Sequence, residues 1–211
     1  MSDAATGSGP AVRASYLRLL LSACDEFGPP AMAIRERLGD AHLTSIECAG
    51  PLVWLPIEAD IALQRALAEV LGAERTREFV LAKARQFMAG SLLQNLMQTA
   101  VELFGLDPGS LARMVPRGWV LLYRDCGRWN VTRSLDPDRN RAREWREVEM
   151  RLLEVPRACA NETAWVTAVG TVQHALLLLT GRLDGEGEVE LLDRVLDEPA
   201  QLVYRVAWKN K

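Results

Sequence analysis

The sequence predicts an α+β protein: a helical N-terminal half packed on a four-stranded antiparallel sheet, with one long buried helix between two hairpins. Three observations predict it. Apolar residues recur at helical spacing from Val12 to Tyr123, alternate at period two after Gly127, and fill an uncharged run from Thr163 to Gly181 that separates two pairs of alternating segments. Helices that precede strands, rather than alternating with them, gather on one face of an antiparallel sheet.

Val12, Tyr16, Leu19, Leu20 and Ala23 predict a first helix, stopped at Gly28-Pro29-Pro30. Ala31 to Leu38 can form a short second helix closed by Gly39, and the stretch on to Pro56, with His42, Cys48 and Trp54, reads as irregular. Ile57 to Leu71 and Glu74 to Met88 are amphipathic and helical, and a further helix follows Ser91, through Leu93, Leu96, Met97 and Phe104. Asp107-Pro108 caps the next, which carries Leu111, Met114, Val115, Leu122 and Tyr123; Pro116 and Gly118 predict a kink or a break within it. Trp129, Val131, Arg133 and Leu135 then alternate with Asn130, Thr132 and Ser134 as a strand. Asp136 to Asn140 is turn chemistry, and Val148, Met150 and Leu152 form the returning strand, with Trp145 out of phase as a bulge or an exposed ring. After the apolar helix come a strand at Val189 and Leu191 and another at Leu202, Tyr204, Val206 and Trp208.

At 211 residues, 49% of them hydrophobic, the chain can bury a full core without a metal or disulfide staple. No composition break marks a linker, so residues 11–211 read as a single domain behind a disordered tail, residues 1–10, without signal-peptide character. The Thr163–Gly181 run approaches the length of a membrane span. Its internal threonines, Gln173 and His174, together with the small-residue stripe of Ala164, Ala168, Thr171 and Ala175, fit a helix buried in protein instead. Cys24, Cys48, Cys126 and Cys159 are scattered without zinc or redox spacing, which reads as reduced, mostly buried thiols in a cytoplasmic protein.

Catalytic signatures are missing. Two histidines, His42 and His174, cannot make a histidine-rich metal site, and His174 on the apolar helix reads as a core histidine or a pocket-lining group. No nucleophile elbow, Walker loop or dinucleotide fingerprint occurs; Gly7-Ser8-Gly9 lies in the tail, and Glu147 and Glu149 read as solvated strand residues. Asp136-x-Asp138-x-Asn140 with Glu147 matches most of an EF-hand's ligand spacing. Arg141 stands where that loop needs glycine, and Arg139, Arg143 and Arg146 would repel a cation. The net charge of −3, with Asp136, Asp138, Glu144 and Glu147 among those arginines, speaks against nucleic acid.

The stretches WLPIEADIALQRALAEVLG (from Trp54) and LFGLDPGSLARMVPRGWVLLYRDCGRWNV (to Val131), with the closing LVYRVAW, carry a resemblance over most of the chain. They are similar to a family of uncharacterised proteins of this length expanded in myxobacteria. The resemblance implies a fold akin to haem nitric-oxide-binding domains, 4-vinyl reductase domains and TRAPP core subunits, often with a hydrophobic cavity between helices and sheet. It transfers no catalytic residue: the haem domains' tyrosine-serine-arginine motif, a histidine at a matching place and the acylated cysteine of TRAPP subunits are not found.

The expectation is a cytosolic, non-enzymatic regulatory or sensory module without a cofactor. It would hold a small hydrophobic ligand beside Trp165, Ala168, Thr171 and His174. The alternative is a fully packed interaction adaptor or homodimeric scaffold in signalling, using an apolar helical face or the surface of Arg139, Arg141, Arg143 and Arg146.

Overall fold

In a computed structural model that describes residues 9–90, 108–133, 145–178 and 187–209, Val12 lies in a strand where its spacing predicts a helix. β1 (Ala11–Arg13) runs between β2 (Trp54–Pro56) and β3 (Tyr123–Arg124) in a three-stranded antiparallel sheet, Val12 opposite Leu55 on one side and Tyr123 on the other. Backbone partners on both edges outweigh the helical spacing of one valine. Helix α1 (Ala14–Ala23) follows at once and passes through a 3₁₀ turn, Cys24–Phe27, into α2 (Pro29–Leu38), whose two prolines occupy the first turn, where a missing N–H costs little.

The stretch predicted to be irregular holds a helix, α3 (Asp40–Cys48), so His42 is helical rather than in a loop. Its apolar positions are sparse, yet Ile46 is fully buried and Leu43 packs on the core, which suffices when tertiary burial supplies the stability. Helices α4 (Ile57–Leu71) and α5 (Ala73–Gly90) match the periodicity. Helix α6 (Pro108–Leu122) continues through Pro116 and Gly118 instead of breaking; Leu111, Val115 and Trp119 are buried along it and hold it across the lost hydrogen bond. The predicted helix after Ser91, the turn at Asp136–Asn140 and most of the tail lie outside the described residues.

The second half contains β4 (Arg128–Arg133), β5 (Trp145–Val155), the short α7 (Arg157–Asn161), α8 (Thr163–Leu178), β6 (Gly187–Val195) and β7 (Ala200–Lys209). The four strands form one antiparallel sheet in the order β4-β5-β7-β6, two hairpins joined through their second strands. Trp129, Leu152 and Leu202 stand in one cross-strand row, and Val131, Met150 and Tyr204 in the next. Trp145 pairs with Lys209 in regular register, so no bulge separates it from Val148; the strand's irregularity lies beyond Leu152, where Glu154 takes φ +59° and the pairing with β7 resumes at Val155. Helix α8 covers β6 and β7 on one side and meets α4 and α5 on the other. The Tyr204 hydroxyl donates to the Val166 carbonyl at 2.9 Å and ties helix to sheet. Gly170 permits this approach, since a Cβ there would lie 3.0 Å from the Tyr204 ring. One core runs from Val12 through the helices to Trp208. No helix among the described residues is long and apolar enough to cross a membrane.

Candidate functional site

Ile57, Ile61 and Leu67 turn one face of α4 inward, and Asp60 and Gln64, four residues apart, share that burial. Asp60 is completely buried. Its Oδ2 accepts from the Tyr123 hydroxyl at 3.0 Å and the Trp165 indole N–H at 2.9 Å, and its Oδ1 accepts from the Gln64 amide at 3.1 Å. The carboxyl thus joins α4, β3 and α8. Burial raises its pKa above the usual aspartate range against the opposing pull of the three donors. Burial likewise pushes up the hydroxyls of Tyr16 and Tyr123, with the nearby Asp60 adding to both. Around this centre Trp119 stacks on Tyr123 with 4.1 Å between ring centroids and meets Trp129 and Trp165 edge-on at 5.7 and 6.3 Å. Trp129 continues to Tyr204 at 5.8 Å. Among the described residues aromatic rings occupy the space between helices and sheet here, and Asp60 is closed off from solvent.

Open space among the described residues lies on the other side of α8. A cleft of about 400 Å³ runs between α4, α5 and α8, with Ala68 and Val80 on one wall and Ala164, Thr167, Ala168 and Thr171 on the other. Small side chains on α8 keep the helices from closing over it. Thr76 stands in the α5 wall, buried, its Oγ1 without a hydrogen-bond partner among the described residues. The charged groups on the rim differ in their partners. Arg65 donates to Glu162, and Glu69 accepts from Arg37, so both are neutralised. Arg77 has no carboxylate partner among the described residues; its guanidinium faces His174 Nδ1 at 3.5 Å. A smaller hollow of about 150 Å³ adjoins the cleft through Arg77, Thr167 and Thr171, and is closed by His174, Gly170 and β6. Burial, and then the charge of Arg77, lower the His174 pKa, while a backbone contact with Gly187 opposes them.

The predicted pocket residues are therefore divided. Ala168 and Thr171 line the cleft, Thr171 and His174 line the hollow, and Trp165 lies in the aromatic core with its N–H on Asp60. Arg139, Arg141 and Arg143 lie outside the described residues, and Arg146 is described only as a strand position opposite Trp208. Sequence reasoning did not find Asp60, although a carboxylate on the apolar face of a helix was the available signal. It also did not find Thr76 and Arg77. No local spacing marks a cleft assembled from the consecutive helices α4 and α5 and the distant α8. Among the described residues no group of three histidines, cysteines or acids could hold a metal ion.

No family profile and no curated protein matches the chain. Solved structures do resemble it in fold. An H-NOX (haem nitric-oxide-binding) protein from S. oneidensis in its Fe(II)NO state superposes with a TM-score of 0.58 at 11% identity, over 94% of this chain and 99% of that one. A single-site variant of the T. tengcongensis H-NOX gives 0.57 at 12% identity over 94% and 98%. An unliganded Fe(II) variant from K. algicida gives 0.57 at 11% over 94% and 97%. Identity this low establishes an H-NOX-like fold and leaves the chemistry to this chain's own residues.

Proposed function

We propose that the chain is a regulatory module that senses a small hydrophobic ligand held in the cleft between α4, α5 and α8, with no catalytic step of its own. The observation that carries this reading is the cleft itself: about 400 Å³, walled by alanines, threonines and a valine, and large enough for a small ligand. Its position also suits a sensor. Helix α8 forms one wall and at the same time packs on the sheet through Val166 and Tyr204, so displacement of α8 by a ligand would be felt by both layers.

The fold raises the question of haem, and the described residues do not fit it. The interior between helices and sheet is occupied by Trp119, Tyr123, Trp129, Trp165 and Tyr204. Among the described residues the cleft lining contains no histidine, cysteine or methionine, and His174 lines the 150 Å³ hollow, facing Arg77. Burial pushes the thiols of Cys24 and Cys126 up to about 12 and raises that of Cys159 too, so none offers a thiolate.

Native mass spectrometry of freshly purified protein, set against the denatured mass, tests the proposal. Additional non-covalent mass that disappears in Ala168→Phe is the expected result; bare chain mass together with no binding of apolar probes would reject it. A protein-contact role is the second reading, favoured by an exposed apolar patch. Leu52 and Val53 on one segment and Val120 and Leu121 on another are joined by Arg13, which donates to the carbonyls of Leu52 and Leu121. Sedimentation of the Leu52→Asp and Val120→Asp variants against the parent chain would expose self-association through it.

A further inference from the structure

We propose that the occupant of the cleft is an amphipathic carboxylate, with its alkyl body along Ala68, Ala164 and Ala168 and its carboxylate on Arg77. The inference rests on the ligand-binding reading above and specifies the ligand's chemistry. The lining surface is mostly apolar, with Ala68, Val80, Ala164 and Ala168 beside threonines, which suits a hydrocarbon body, and the charged groups around it are unequal. Arg65 and Glu69 are each held by an opposite charge, Glu162 and Arg37 respectively, and neither is available without breaking an ion pair. Arg77 borders both the cleft and the adjoining hollow, and among the described residues its polar neighbour is an imidazole rather than a carboxylate. A guanidinium donates through a planar fork that matches two carboxylate oxygens, so a carboxylate meets it with two acceptors and the opposite charge where an alcohol offers one neutral acceptor. Thr76 stands next to Arg77 in the same wall, its Oγ1 turned away from the open cleft. An uncharged hydrocarbon would leave Arg77 unused.

Binding of octanoate and of 1-octanol to the full chain, by calorimetric titration with amide chemical-shift mapping of Thr167 and Thr171, tests this. The parent chain should prefer octanoate. Arg77→Gln should weaken octanoate about tenfold or more while leaving octanol unchanged, and Ala168→Phe, with its fold checked by circular dichroism, should abolish both. Equal affinity for octanoate and octanol, both lost in Ala168→Phe, would overturn the carboxylate and retain the cleft as a ligand site. Absence of shifts at Thr167 and Thr171 with either probe would overturn the cleft reading, and this inference with it. Should Ala168→Phe fail to fold, the chemical-shift map of the parent chain and the Arg77→Gln titration decide between these outcomes.

Discussion

Asp60 sets the pH response of the interior. Burial favours its uncharged form, so its folded pKa lies above its unfolded value. Stability from this group is then complete below the ordinary aspartate range and declines as pH rises through the higher folded value. Urea unfolding over that range should show the decline in the parent chain and not in Asp60→Asn. Asp60→Ala leaves the Tyr123 hydroxyl and the Trp165 indole buried without an acceptor and should cost about 2–5 kcal/mol. The cysteines give a second measurement at the same scale. Cys48 is exposed, whereas Cys24, Cys126 and Cys159 are buried with raised thiol pKa values. An Ellman titration at pH 8 should count one fast thiol in the native chain and the other three only on unfolding. The sequence showed that these thiols do not form metal or redox motifs. It did not show Asp60's role, because a lone carboxylate on a helix is ordinarily solvated, and its donors come from segments distant in the chain.

Two glycines fix how the elements meet. Gly127 takes φ +95° as the chain turns into β4, and a Cβ there would lie 2.7 Å from the Leu153 carbonyl oxygen, just where β5 departs from regular pairing. Gly127→Ala should destabilise by about 2 kcal/mol or more, measured by chemical denaturation, while Gly28→Ala, with a positive φ but open space, should lose only about 1–2 kcal/mol. α4, α5 and the two hairpins were legible because their apolar residues keep one period over many residues. Strand β1 and helix α3 were not. β1 is three residues long and owes its conformation to partners at residues 54–56 and 123–124, and α3 owes its stability to one buried isoleucine. In α6 the break that Pro116 and Gly118 allowed does not occur, with Val115 and Trp119 buried on either side of them.

At the scale of the whole molecule, helices and sheet share one contiguous core, and α8 belongs to both. Tryptophan fluorescence and far-ultraviolet circular dichroism should therefore report a single coincident unfolding transition; two separated transitions would mean that the helical layer and the sheet are independent units. The two sheets carry a further consequence. In each, an inner strand is far from a neighbour in the chain: β1 waits for residues 123–124, and β7 joins hairpins that begin with β4 and β6. A ribosome adding about 5–20 residues per second leaves Val12 without its second edge for on the order of ten seconds. Met150 and Leu152 face no second partner until residues 202–204 emerge. A nascent chain stalled at residue 195 would have every helix described here but only the β4-β5 pair of this sheet, with β6 lacking its partner, so translation of β7 is the event that completes the core.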